Sequence, residues 1–306
     1  MAKRVVSVSL GSSRRDSVAE VEVLGEKILL ERRGTDGDFQ GALCLIRELD
    51  GKVEAIGLGG IDLYLVAGGR RYTIRDARKL KEAARKTPVV DGSGLKHTLE
   101  RQAVFALSSL FDWKKTRVLL PSAVDRFGLA EALDQVGARV LYGDFLFALG
   151  LPIPLYSLSL LQKLAYLLLP LLTQLPFGLL YPTGRKQEER VVDWRSRYYL
   201  WADLVAGDWH YLRRYMPDQM RGKSVLTNTT TEEDVAFLRE RGVRYLITTT
   251  PRLEGRSFGT NVMEALLVAL AGRELGEEEY LRYIDQLGLK PQVLDLEGAQ
   301  ASPEEA

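Results

Sequence analysis

Two histidines, one cysteine and a set of carboxylates bound the chemistry open to this 306-residue chain. His97 and His210 are too few for a histidine-rich metal site, and Cys44 has no partner for a disulfide. A carboxylate Mg²⁺ site stays open by composition. The remaining candidates sit at the ends of apolar strands. Arg117 to Leu120 is such a strand, and a helix-like stretch follows at 128–136. The loop between them carries Ser122 and Arg126, a hydroxyl and a charge suited to a phosphate at a helix N-terminus. Of the G-x-G-x-x-G slots that a dinucleotide fold places here, only Gly128 is filled. Asp144 follows at the spacing of a ribose-binding acid, or else is a solvated turn residue. Its charge favours NAD over NADP.

Later strand ends add more polar groups. Asp208 and His210 are two residues apart, so in a strand they share a face, as a general-base pair would. Asn228 lies among Thr227, Thr229 and Thr230. Thr249 lies in a threonine run that leads to Arg252, Arg256 and Asn261. Asn228 and Asn261 are the only asparagines of the chain. Hydroxyls, amides and guanidinium groups of this kind suit a small polar ligand with a carboxylate. The first strand ends in the small polar loop of Ser12 and Ser13, a further candidate for holding that carboxylate.

These groups need a scaffold. Apolar strands are expected over 4–10, 18–23, 27–32 and 53–58, with helices over 39–49, 74–85 and 95–110. Further along, strands near 117–121, 138–143, 203–207, 224–228 and 243–249 alternate with helices near 128–136, 231–241, 257–271 and 277–287. Thr231 and Asp234 form a short capping box. Alternation of this sort predicts an α/β fold with a mostly parallel sheet. The expected organisation is a smaller N-terminal α/β lobe over 1–94, a linking helix over 95–111, and a Rossmann-like lobe over 112–290. A disordered tail is expected over 297–306.

The leucine-dense stretch 155–180 interrupts the second lobe. Gln162, Lys163, Thr173 and Gln174 break its apolar run, so it is not read as a membrane span. Packed helices in a core or a homodimer interface, a lid over an apolar ligand, and membrane contact are the open readings. Net charge is +1, which gives no basic footprint for nucleic acid. No apolar leader opens the chain, and with a single cysteine a cytoplasmic location is expected. Scarce Asn, Cys and Met resemble thermophile usage.

Asp91, Gly92, Ser93, Gly94, Leu95, then Leu99 and Glu100, resemble the Asp-Gly-x-Gly-Leu…Leu-Glu segment of the shikimate and quinate 5-dehydrogenases. The resemblance implies that Asp91 is the catalytic acid and that NAD or NADP is the cofactor. Ser122, Arg126, Gly128 and Asp144 would hold that cofactor. It also implies oxidation of a cyclic polyol carboxylate and a late helix, 257–270, that returns to the substrate lobe. That family pairs its Asp with a Lys after a substrate-lobe strand; here that place reads Gly59, Gly60, Ile61, Asp62. The alternative is a non-redox Rossmann-like protein that binds a nucleotide or a small polar ligand.

Overall fold

Residues alternating at period 2 build the first sheet. In β1 (Lys3–Ser9), Val5 faces one side while Val6 and Val8 face the other. The same parity puts Ser7 and Ser9 on the Val5 face. The computed structural model describes residues 2–176, 178, 190–253 and 255–297. Beyond β1 come β2 (Ser17–Val23), β3 (Glu26–Gly34), helix α1 (Phe39–Leu49) capped by Asp38, and β4 (Ala55–Gly59). A hairpin of β5 (Tyr64–Ala67) and β6 (Arg70–Thr73), helix α2 (Arg75–Lys81) and the short β7 (Val89–Val90) complete the lobe. Strand order is β2-β3-β1-β4-β7; all neighbours are parallel except β2, which runs antiparallel to β3.

Two details of this region differ from the sequence reading. The hairpin was not expected. Gly68 and Gly69 both have positive φ (54° and 76°), the two-residue turn whose twist matches its strands. The helix expected over 95–110 is broken into α3 (Ser93–His97) and α4 (Leu99–Ala106). Thr98 sits at the break, and its hydroxyl donates to the Gly94 carbonyl (2.7 Å), a bond that competes with the helix ladder.

The second sheet is built from β8 (Arg117–Leu120), α5 (Phe127–Gln135), β9 (Arg139–Tyr142), α6 (Leu158–Leu172), α7 (Ser196–Trp201) and β10 (Leu204–Ala206). It continues through α8 (Trp209–Tyr215), β11 (Ser224–Thr227), α9 (Glu232–Glu240), β12 (Tyr245–Thr248) and the small hairpin β13 (Arg252–Leu253) and β14 (Arg256–Ser257). Last come α10 (Thr260–Ala271), α11 (Glu277–Gln286) and β15 (Gln292–Asp295). The order β9-β8-β10-β11-β12-β15 is parallel apart from β15. The expected capping box of α9 is present. The protein is thus a two-lobed α/β fold with parallel-rich sheets.

The chain crosses between lobes more than once. Helix α10, within the stretch grouped with the second lobe, packs on β1, β4 and α3, and its core is shared with α11. The helix implied to return to the first lobe does so, and β15 then rejoins the second sheet. Residues 298–306 of the tail, and residues 177 and 179–180 of the leucine-rich stretch, lie outside the described residues.

Close packing joins the crossing helices. A Cβ at Gly128 would stand 2.8 Å from the His97 Cα and 2.9 Å from the Lys96 carbonyl oxygen. Both are backbone atoms that cannot swing aside. Gly128→Ala is therefore expected to destabilise the protein by about 1–3 kcal/mol, the usual range for overpacking. Denaturant unfolding of the two proteins checks this; an unchanged midpoint would mean that α5 and α3 are not so tightly seated.

Candidate functional site

In both sheets the chain reverses direction of strand addition beside the first strand laid down. In open α/β sheets, ligands collect at the carboxyl ends of strands at such a switch point. The carboxyl ends of β1, β4, β8, β10 and β11 face one cleft of about 350 Å³ between the lobes. That volume lies in the range of small-molecule sites. Its two ends differ sharply. One is lined by Ser7, Ser9, Arg15, Arg32, Arg256 and Asn261; the other by Phe145, Leu149, Leu161, Leu164, Leu168 and Leu172.

Helix α6 supplies the apolar end because its leucines repeat at helical spacing along the inner face. It is tied to the first lobe by two bonds: the Tyr166 hydroxyl donates to the Gly68 carbonyl (2.7 Å), and Arg75 N–H donates to the Thr173 carbonyl (3.0 Å). Its outer face is apolar too, with Leu167 and Leu171 about 70% exposed (69% and 71%). Among the described residues, no helix is long and apolar enough to cross a membrane.

A buried row of charges runs along the cleft floor. The Lys96 ammonium lies 2.5 Å from both Asp62 and Asp125. Arg126 neighbours Asp125 at 3.5 Å and pairs with Glu100. Burial works against the Lys96 charge, but Asp125 and Asp62 hold its pKa above the ordinary value. Burial, and then the charge of Asp125, pushes Asp62 up to about 7. Asp125 goes the other way: Lys96 and Arg126 outweigh its burial and keep it low. Burial likewise raises Glu100. Of the acids facing Lys96 and Arg126, Asp62 is raised to about 7, so near neutral pH it is the one that shares its proton with solvent. A carboxyl titrating near neutral pH in a cleft is suited to moving protons.

The residues singled out from sequence divide into three groups. Asn228, Arg256, Asn261, Ser12 and Ser122 line the cleft. Asn228 donates to Glu100 (3.1 Å) and Asn261 to the Ser7 hydroxyl (2.8 Å). A second group lines the cleft but is engaged within the protein. The Asp91 carboxylate accepts the N–H groups of Leu63, Tyr64 and Ser93, so it ties segments together rather than standing free as an acid. Asp208 accepts the backbone N–H groups of His210 and Tyr211 as the α8 cap and does not engage the imidazole. His210 instead packs on Arg15 (2.6 Å), and burial followed by that charge lowers its pKa to about 4. The last group points elsewhere: Ser13 is bonded to Asp36, Thr249 is buried behind the strand ends, and Arg252 holds Thr230 and Glu232.

The expected cofactor seat is filled by the protein itself. Asp144 accepts the N–H groups of Ala123 and Val124 (3.0 and 3.1 Å), the donors a pyrophosphate would need. Burial raises its pKa to about 6 against those bonds. Arg126 is engaged by Glu100, and Gly128 serves helix packing. These residues do not fit a dinucleotide. Sequence reasoning did not single out Arg15, Arg32 or Lys96, and it met Asp62 and Asp125 without giving them a place in the site. Lys96 stands two residues after Gly94 in the noticed segment, and only its reach back to Asp62 marks it as special. Among the described residues no cluster of acids, His or Cys is placed to hold a metal ion.

Fold and site together define a two-lobed α/β protein with a ligand-sized cleft between its lobes. The chain belongs to the family described as Domain of unknown function (DUF8754), matched over residues 94–296; residues 4–91 match Domain of unknown function (DUF8753). No curated protein matches the chain in sequence. Among solved structures it is similar to a substrate-binding protein of a sugar ABC transport system from Bordetella parapertussis, at 13% identity, covering 99% of this chain and 92% of that one, TM-score 0.36. It is similar to the periplasmic binding component of the arabinose ABC transporter from Shewanella sp. ANA-3, at 10% identity, 97% and 93% coverage, TM-score 0.37. The NAD-dependent malic enzyme from Thermotoga maritima is also similar, at 13% identity, 90% and 72% coverage, TM-score 0.36. Scores this low mark a distant likeness and say nothing of ligand or activity.

Two measurements check the site. An acid raised from 3.8 to about 7 stabilises the fold while protonated, and that contribution is lost as pH rises through about 7. Asp62→Asn cannot titrate, so its stability relative to wild type should rise between about pH 4 and 7 and be flat above. A pH-independent difference would place the shared proton elsewhere. Second, NAD and NADP titrated against the purified protein should give no saturable fluorescence change; saturable binding of either would show that Asp144 yields its seat.

Proposed function

We propose that this protein binds an amphipathic organic anion in the cleft between its lobes. One observation carries the reading: a cationic, hydroxyl-rich end and a leucine-lined end open onto the same space. A purely polar sugar would leave Leu161, Leu164, Leu168 and Leu172 facing a hydrophilic guest. A purely apolar guest would leave the cationic end unanswered, above all Arg256, which has no carboxylate partner among the described residues. An anionic headgroup joined to an apolar chain satisfies both ends at once. The reading is non-redox, in keeping with the occupied dinucleotide seat.

Chain length provides the test. Each methylene buried against α6 contributes about 0.8 kcal/mol, or roughly fourfold in affinity. In a series of straight-chain carboxylates from butanoate to decanoate, calorimetric Kd should fall by about that factor per carbon until the apolar end is full. Leu168→Asn should flatten the dependence while sparing the shortest member. Affinity independent of chain length in the wild type would sink the proposal.

A further inference from the structure

The polar end of the cleft can be read for the shape of the anion it holds, on the reading just proposed. Arg15 comes from the turn after β1, Arg32 from β3 and Arg256 from β14, so three guanidinium groups reach one place from three directions. Each is oriented by the protein. Arg32 donates to the Ser9 hydroxyl (3.0 Å), the Ser12 carbonyl and Asp16. Arg15 donates to the Thr229 carbonyl (2.8 Å) and lies 3.6 Å from Asp234. Arg256 donates to the Arg15 carbonyl (3.1 Å) and has no carboxylate partner among the described residues.

The acids nearby neutralise this group only in part. Asp16 pairs with Arg32 (2.9 Å), and Asp234 is shared between Arg15 (3.6 Å) and Arg213 (3.2 Å), which leaves Arg256 as the uncompensated guanidinium. The arginines feel one another. Burial, with Arg15 and Arg256 close by, pulls Arg32 below its ordinary value, and burial with Arg256 and Arg213 contributes to the same shift in Arg15.

Hydroxyl protons add further donors. The Ser9 oxygen accepts from Gly11 N–H (3.1 Å) and from Arg32; the Ser7 oxygen accepts from Asn261. Each hydroxyl also carries a proton to donate, and no acceptor for either is found among the described residues. The N-terminus of α10, which no side chain caps, opens at Thr260 and Asn261 on the same end.

Donors arriving from several directions, with excess positive charge, exceed what a flat, singly charged carboxylate can engage. They suit a tetrahedral oxyanion that carries nearly two charges at neutral pH. We infer that the headgroup seated between Arg15, Arg32 and Arg256 is a phosphate, and that the ligand is a phosphate monoester of an apolar alcohol.

Octyl phosphate and octanoate, probes of matched chain, separate the headgroup from the chain. By calorimetry at pH 7.5, octyl phosphate should bind at least ~10-fold tighter, the gain of added charge-assisted hydrogen bonds. Millimolar inorganic phosphate should compete with it. Arg256→Gln should abolish most of the preference while still binding octanoate. Octanoate binding as tightly as octyl phosphate to the wild type would overturn the phosphate assignment and leave the amphipathic cleft intact. Saturable binding of neither probe would overturn both. The wild-type comparison decides the matter even if the variant fails to fold.

Discussion

The buried row Asp62, Lys96, Asp125, Arg126, Glu100 is the interaction on which the arrangement of the lobes rests. The five members come from four local segments: the loop after β4, then α3, the loop after β8 (two members), and α4. An ion removed from water must keep its partner, so the row constrains the mutual positions of these segments. Breaking one such pair costs roughly 3–5 kcal/mol, since the charge left behind is stranded. The row therefore holds the two lobes and the linking helices in one register. The hairpin of β5 and β6 follows it, with Val66 N–H donating to the Val124 carbonyl across the lobes (3.1 Å). Asp91 follows as well, pinning Leu63 and Tyr64 so that Asp62 faces Lys96.

The same row explains why a dinucleotide layout persists without a dinucleotide seat. Strand β8, its loop and α5 retain the strand–turn–helix order. The loop's N–H groups now hold Asp144, and its arginine is turned inward to Glu100. Once those donors are taken, the anion-binding capacity of the cleft moves to the other lobe. There the parity of β1 turns Ser7 and Ser9 toward α10, and Arg32 projects from the neighbouring strand.

Much of the scaffold was legible in the sequence for a local reason. The strands of the second sheet are short apolar runs, and the capping box of α9 is written in adjacent residues. The hairpin was not legible, because β6 reads Arg70, Arg71, Tyr72, Thr73 and has no apolar period. Nor was the break at Thr98, which lies inside a favourable helical pattern. For the site, the residues at strand ends were found, and the charges that meet only across long stretches of chain were not. Asn228, Asn261, Ser12 and Arg256 sit at ends that any parallel sheet would turn into a cleft. Lys96 pairs with Asp62 across 34 residues and with Asp125 across 29, and Arg15 meets Thr229 across 214. Nothing local encodes such pairings; only the folded chain brings them together.

The leucine-rich segment takes its place within these limits. Opening the cleft by swinging the lobes apart would part Lys96 from Asp62 or Asp125, the costly step. Lifting α6 disturbs apolar contacts and two neutral hydrogen bonds, from Tyr166 to Gly68 and from Arg75 to Thr173, worth about 0.5–1.5 kcal/mol each. A guest with an apolar chain replaces those contacts with its own as it enters. On the proposed reading, the apolar chain of the ligand therefore lies along α6, where helix and ligand present the same kind of surface.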